Sequence, residues 1–296
     1  MELIDGRFQL LEKLGYGGYG DVYTAFDYVT KSTVAIKLER TPGSQSVKVE
    51  TEVYKALTGV EGIPRTIGTG KHGEKNYAAM ELLGKDLKAV CAEVHLSVKD
   101  VLLIAIKLIK ILQRIHARGI VHQDLKPANI MFSKHDKDSM YIMDFGLARS
   151  FVDENGFHDE MEDSEPFGTI PYASLNCHRG KTQSRRDDLE ALGYVLLVLL
   201  NGDVPWLLED DEEEETFENI YPLKSMYSAR QMFEGHSSVF ALYMGYCKRL
   251  GYEDEPKYSV LIRLFETELE RLGFDADASF DFNKEESSIT IADESD

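Results

Sequence analysis

The hydrophobic pattern divides the chain near residue 80. Before it, short apolar runs predict strands at Phe8-Gln9-Leu10-Leu11, Val22-Tyr23-Thr24-Ala25 and Val34-Ala35-Ile36-Lys37, and at the alternating Asn76-Tyr77-Ala78-Ala79-Met80. Between them, Val47 to Leu57 has the composition of a helix. Beyond residue 85 the pattern is mostly helical. Ser97-Val98-Lys99-Asp100 fits a capping box, a serine and an acid placed to satisfy each other's backbone N–H. Val101, Ala105, Leu108, Leu112 and Ile115 then recur at helical spacing, with Gly119 as a stop. The longest apolar run, Ala191 to Leu200, is too short to cross a bilayer and predicts a buried helix. No internal repeat is present. The expectation is an α+β chain. Strands with one main helix occupy residues 1–80, a hinge spans 81–84, a larger mainly helical lobe spans 85–275, and 276–296 form an acidic, mobile tail.

Candidate chemistry lies at the ends of these elements. Gly15-Tyr16-Gly17-Gly18-Tyr19-Gly20-Asp21-Val22 fits G-x-G-x-x-G-x-V, whose glycines let a turn approach phosphates closely. Such a pattern alone also marks ordinary turns and dinucleotide folds. A dinucleotide site needs a helix directly after the glycines, whereas strand-like residues flank them here. Val34-Ala35-Ile36-Lys37 fits V-A-I-K, with Lys37 as candidate ligand of nucleotide phosphates. Lys37 needs a carboxylate to hold it, and Glu50, in the first half of the predicted helix, is the best candidate. Glu39 lies too early to be on that helix. Glu52 points about 200° away from Glu50 at 100° per residue, so the two cannot both face the lysine. In Met80-Glu81-Leu82-Leu83-Gly84, backbone groups near Glu81 and Leu83 are candidate adenine partners, with Met80 at the back of the pocket.

The most informative stretch is His122-Gln123-Asp124-Leu125-Lys126-Pro127-Ala128-Asn129, followed by Asp144-Phe145-Gly146. This spacing matches protein kinases, which move a phosphoryl group from ATP. Asp124 is the candidate base for a substrate hydroxyl. Lys126 can reach the transferred group as a mobile charge. Asn129 and Asp144 offer oxygens to magnesium, which prefers such ligands and keeps several waters.

Composition narrows the classes. Three cysteines, Cys91, Cys177 and Cys247, stand far apart and form no metal spacing, as expected of reduced thiols. The start, Met1-Glu2-Leu3-Ile4-Asp5, lacks the basic and apolar regions of a signal peptide. The expected location is cytoplasmic or nuclear. Acidic residues outnumber basic ones 52 to 33, giving a net charge of −19. Such a field attracts basic partners and repels acidic ones. Nucleic-acid and membrane partners are not expected.

Gly168-Thr169, Tyr172-Ala173-Ser174-Leu175-Asn176 and Gln183-Ser184-Arg185-Arg186-Asp187-Asp188-Leu189-Glu190 closely resemble the casein kinase 1 family. Gly62-Ile63-Pro64, Leu192-Gly193-Tyr194-Val195-Leu196 and Val204-Pro205-Trp206 extend the likeness, which covers roughly residues 5–283. The resemblance implies a serine/threonine kinase with a small antiparallel β-sheet lobe and a larger helical lobe, using ATP and Mg2+; separately, a monomer is expected. It carries roles over to Lys37, Glu50, Asp124, Lys126, Asn129 and Asp144. It places Thr169 beside Asp124 and Lys126, and Asp188 under the catalytic loop. The departures concern substrate charge. Family members often read acidic or phosphorylated substrates with a basic cluster. Here its positions hold Gln123, Pro171 and Ser164, and only Arg149 stays basic. Gln cannot replace the bidentate pairing of Arg with phosphate. A lysine-rich stretch of the family is replaced by the acidic run Glu209-Asp210-Asp211-Glu212-Glu213-Glu214-Glu215, expected to be a solvated loop. The expected substrates are therefore basic or neutral proteins, and activity should not need activation-loop phosphorylation. The alternative is a pseudokinase or scaffold whose acidic surface binds basic partners.

Overall fold

The computed structural model describes residues 3–16, 20–207 and 215–283. Gly17 and residues 209–214 of the acidic run lie outside these. The described chain groups into two units, residues 1–85 with 131–148, and residues 86–130 with 149–296.

The first unit is built on a five-stranded antiparallel sheet. Its strands are β1 (Phe8–Tyr16), β2 (Gly20–Asp27), β3 (Ser32–Glu39), β4 (Thr66–His72) and β5 (Lys75–Glu81), in the order β1-β2-β3-β5-β4. Helix α1 (Ser46–Ala56) follows β3. Successive strand residues face opposite ways, so β3 sends Val34 and Ile36 to one side and Ala35 and Lys37 to the other. The first side packs into a core of Ile4, Phe8, Ala25, Val34, Ile36, Tyr77 and Ala79. Each large side chain buried there contributes roughly 1.5–3 kcal/mol. Gly20 opens β2 because a Cβ would stand 2.6 Å from the Leu38 carbonyl oxygen.

In the second unit, α2 (Leu87–Glu93) precedes α3 (Val98–His116), whose Ser97–Asp100 capping box is formed in both directions. α3 packs against α5 (Arg185–Asn201) and α9 (Tyr258–Arg271). The short α4 (Leu175–His178), α6 (Phe217–Met226), α7 (Ala229–Met232) and α8 (Ser238–Cys247) complete it. No helix among the described residues is long and apolar enough to cross a membrane.

Composition suggested a mobile tail from residue 276, but residues 279–281 dock on the start of α3. Lys99 donates to the Ser279 carbonyl at 2.7 Å and pairs with Asp281 at 2.6 Å, and the Asp281 N–H donates to Asp100 at 2.7 Å. Phe280 is fully buried and stacks on Phe282.

Candidate active site

The β3 face opposite the core carries the first set of candidate residues. Antiparallel register puts Val22 and Ala78 opposite Lys37, and Met80 opposite Ala35. Directly opposed residues share a face, so Val22, Ala35, Lys37, Ala78 and Met80 form one surface. Its two alanines leave room above the sheet. Gly15 pairs with Val22 across the hairpin, which confirms strands on both sides of the glycine loop. At the end of β5, the Glu81 N–H donates to the Arg65 carbonyl, and the Glu81 carboxylate accepts the Arg65 N–H at 2.7 Å. Buried Leu83 makes no backbone hydrogen bond among the described residues.

Lys37 stands between two carboxylates. Its Nζ is 2.6 Å from Glu50 and 2.9 Å from Asp144. The rival acids are engaged elsewhere: Glu39 accepts from the Asn76 backbone and side chain at 2.9 and 2.8 Å, and Glu52 pairs with Lys55 at 2.9 Å. Burial works against the charge on Lys37, but Glu50 and Asp144 outweigh it and raise its pKa. Burial also raises the pKa of Glu50, with Lys37 pulling the other way. Sequence reasoning missed Tyr54, one helical turn beyond Glu50 on the same face of α1. The Asp144 N–H donates to the Tyr54 hydroxyl oxygen at 3.2 Å, and the Tyr54 ring meets Phe145 edge to face at 5.2 Å. These contacts hold Asp144 in a left-handed backbone conformation, φ 63°.

The second unit carries the other set. Asp124 accepts the Thr169 hydroxyl at 2.6 Å on one oxygen and Lys126 Nζ at 2.8 Å on the other. Lys126 also donates to Thr169 at 2.8 Å. The Asn129 amide nitrogen donates to the Asp124 carbonyl at 2.8 Å. That orientation leaves the Asn129 amide oxygen, the end a hard cation seeks, without a partner among the described residues. Gly168, at φ 95°, is required here: a Cβ would stand 3.2 Å from the Gln123 carbonyl oxygen and 3.4 Å from Asp124.

Asp188, near the start of α5, fixes the backbone of the loop that carries Asp124. Its two oxygens accept the His122 N–H at 2.7 Å and the Gln123 N–H at 2.9 Å. His116 bonds the same carboxylate at 2.9 Å and is itself held by the Tyr258 hydroxyl at 2.6 Å. Burial alone would raise the Asp188 pKa, but the hydrogen bond to His116 and its neighbours bring it below the usual value.

The protein kinase domain family model matches residues 8–257. This chain belongs to the protein kinases. It has the two-lobed kinase fold, with the antiparallel five-stranded sheet in its N-terminal part and helices in its C-terminal part. Kinases generally use ATP with magnesium, and the oxygens of Asn129 and Asp144 are of the kind magnesium prefers. Among the described residues no three His, Cys, Asp or Glu side chains cluster as a metal site.

One residue of this kinase is used differently from its expected role. Arg149, the basic residue that the resemblance left in an expected phosphate-reading cluster, is engaged internally. Its guanidinium pairs with Asp159 and donates to the Gln183 carbonyl at 2.7 Å and the Tyr252 hydroxyl at 2.9 Å. The Tyr252 hydroxyl donates to the other Asp159 oxygen at 2.9 Å. No sequence motif signals this clamp, because its members are joined only by folding.

Proposed function

We propose that the chain is a serine/threonine kinase of the casein kinase 1 type, transferring the ATP γ-phosphoryl group to protein hydroxyls. The observation that carries this is the Asp124–Lys126–Thr169 triangle. An acid positioned as base is bridged to a lysine that can follow the transferred charge. Lys37, kept in place by Glu50, would bind the nucleotide phosphates, Asp144 and Asn129 would offer oxygens to the metal, and the face of Val22, Ala35 and Met80 would take the adenine. Closely set positive charge offsets the charge spread over the phosphoryl oxygens in the transition state.

We also infer that activity needs no phosphate on the segment after Asp144. Gln123 cannot clamp one, and the Arg149–Asp159–Tyr252 cluster supplies a carboxylate where a phosphate could otherwise pair. With Arg149 engaged and Gln123 and Pro171 uncharged, little remains to read an acidic substrate.

The test is a peptide array of serine, threonine and tyrosine peptides with acidic, neutral or basic flanks, run with magnesium and ATP at two salt concentrations. Serine and threonine labelling without acidic preference is expected, unchanged after phosphatase treatment of the enzyme. Tyrosine labelling, strong acidic preference, or loss of activity with phosphatase would each refute the corresponding part. No labelling at all would refute the whole.

A further inference from the structure

A lysine is buried behind the segment that follows Thr169. Lys224, in α6, is 0% exposed and forms no ion pair with a described residue. Lysine is almost never fully buried unless paired, because taking an ammonium out of water costs several kcal/mol. Here backbone dipoles and aromatic faces replace the water. Nζ donates to the Pro171 carbonyl at 2.8 Å and the Ala173 carbonyl at 2.6 Å. It lies 3.8 Å from the centre of the Tyr194 ring and 4.9 Å from that of Trp206.

The walls of this cage are tied to the same segment. Trp206 donates its indole N–H to the Pro171 carbonyl at 3.2 Å. The Tyr194 hydroxyl donates to Glu190 at 2.6 Å, and Glu190 accepts the Leu175 N–H at 2.9 Å. On the substrate side, the Thr169 carbonyl accepts the N–H groups of Tyr172 and Ala173, each at 3.0 Å. One tight turn thus runs from the hydroxyl at Asp124 to the two carbonyls on Lys224, with Tyr172 half-buried between them. Burial pushes the Lys224 pKa well below its ordinary value. A neutral amine still has two N–H donors for two carbonyls, so the clamp does not depend on the charge.

We propose that Lys224 is a positioning residue for the accepting polypeptide, fixing the turn 169–173 so that Thr169 and Tyr172 present a preformed surface beside Asp124. This rests on the kinase activity proposed above. A merely structural lysine would affect nucleotide and peptide alike; a positioning lysine affects the peptide.

The experiment uses the full chain and its Lys224→Met variant, which keeps the stem and removes the amine. Peptide kcat and KM, ATP KM, ATP hydrolysis without peptide, and thermal unfolding are measured. Displacing a positioned group costs roughly tenfold to hundredfold, so the peptide kcat/KM should fall by that factor. ATP KM and peptide-independent hydrolysis should stay unchanged. Equal losses for peptide and ATP, or a folded variant with unchanged peptide kinetics, overturn the role. Should the methionine variant not fold, Trp206→Phe decides, as it removes one donor to Pro171 and keeps a ring over the amine. A selective peptide loss supports the role, and no loss or an equal loss overturns it. An unsubstituted chain that labels no peptide removes the function and this role together, whereas an active chain with indifferent variants removes only this role.

Discussion

Replacing Tyr54 by Phe removes one oxygen from the first unit and keeps the ring. The Asp144 N–H then loses its acceptor, 3.2 Å away. An orphaned N–H costs roughly 1–3 kcal/mol when dry. The Asp144 side chain is 31% exposed, so water can reach this region and the low end, about 1 kcal/mol, applies. The same bond helps hold Asp144 at φ 63°, a conformation that costs a non-glycine residue roughly 1–2 kcal/mol. At 1.4 kcal/mol per factor of ten, transfer should slow about fivefold. The melting temperature should fall by roughly 2–4 °C for a chain of this size. The apparent magnesium requirement should rise, because Asp144 is the proposed metal ligand. Steady-state transfer across a magnesium titration, with a thermal melt, measures all three. Tyr54→Leu should be worse, since it also removes the edge-to-face contact with Phe145, worth about 0.5–1.5 kcal/mol beyond its area. If Tyr54→Phe lowered stability but left rate and magnesium dependence untouched, the link from α1 to Asp144 would be structural only.

Lys37→Met and Asp144→Asn should each abolish transfer while circular dichroism shows a folded chain; residual wild-type activity in either would remove that residue from the mechanism. Asp188→Ala strips acceptors from two backbone N–H groups and from His116, so urea unfolding should show a loss of roughly 3 kcal/mol or more. Below about pH 4 the first unit should lose stability through Asp27. Arg7 grips its carboxylate at 2.7 and 2.6 Å, and those bonds hold its pKa well below the carboxylate range. A depressed folded pKa gives a contribution that is full above the unfolded value, near 4, and is lost as the pH falls below it. Denaturant unfolding from pH 7 to 3 should therefore slope less steeply in Asp27→Asn, and identical slopes would contradict this.

The strands, α1, the capped α3 and the catalytic stretch were legible because each depends on local rules: side-chain period, a cap three residues away, and a motif of fixed spacing. Even the preference for Glu50 rested on local geometry: Glu39 precedes the helix, and helical phase keeps Glu50 and Glu52 from both facing the lysine. The Tyr54 bond to Asp144, the Arg149 clamp and the Lys224 cage could not be read this way. Their members lie ten or more residues apart, on different elements, and nothing in one segment fixes what the other will touch. Arg149 shows the difference most clearly. As a residue type it is a phosphate reader; in the fold, Asp159, Tyr252 and two carbonyls occupy its terminal nitrogens. Residues 279–281 show it again, since polar composition placed them in a mobile tail and Lys99 and Asp100 hold them, while residues 284–296 lie outside the described residues. Local sequence therefore determined which elements form and which chemical groups they carry. Tertiary structure decided which of those groups have their hydrogen-bonding capacity already satisfied, because that depends on neighbours brought together only when the chain packs.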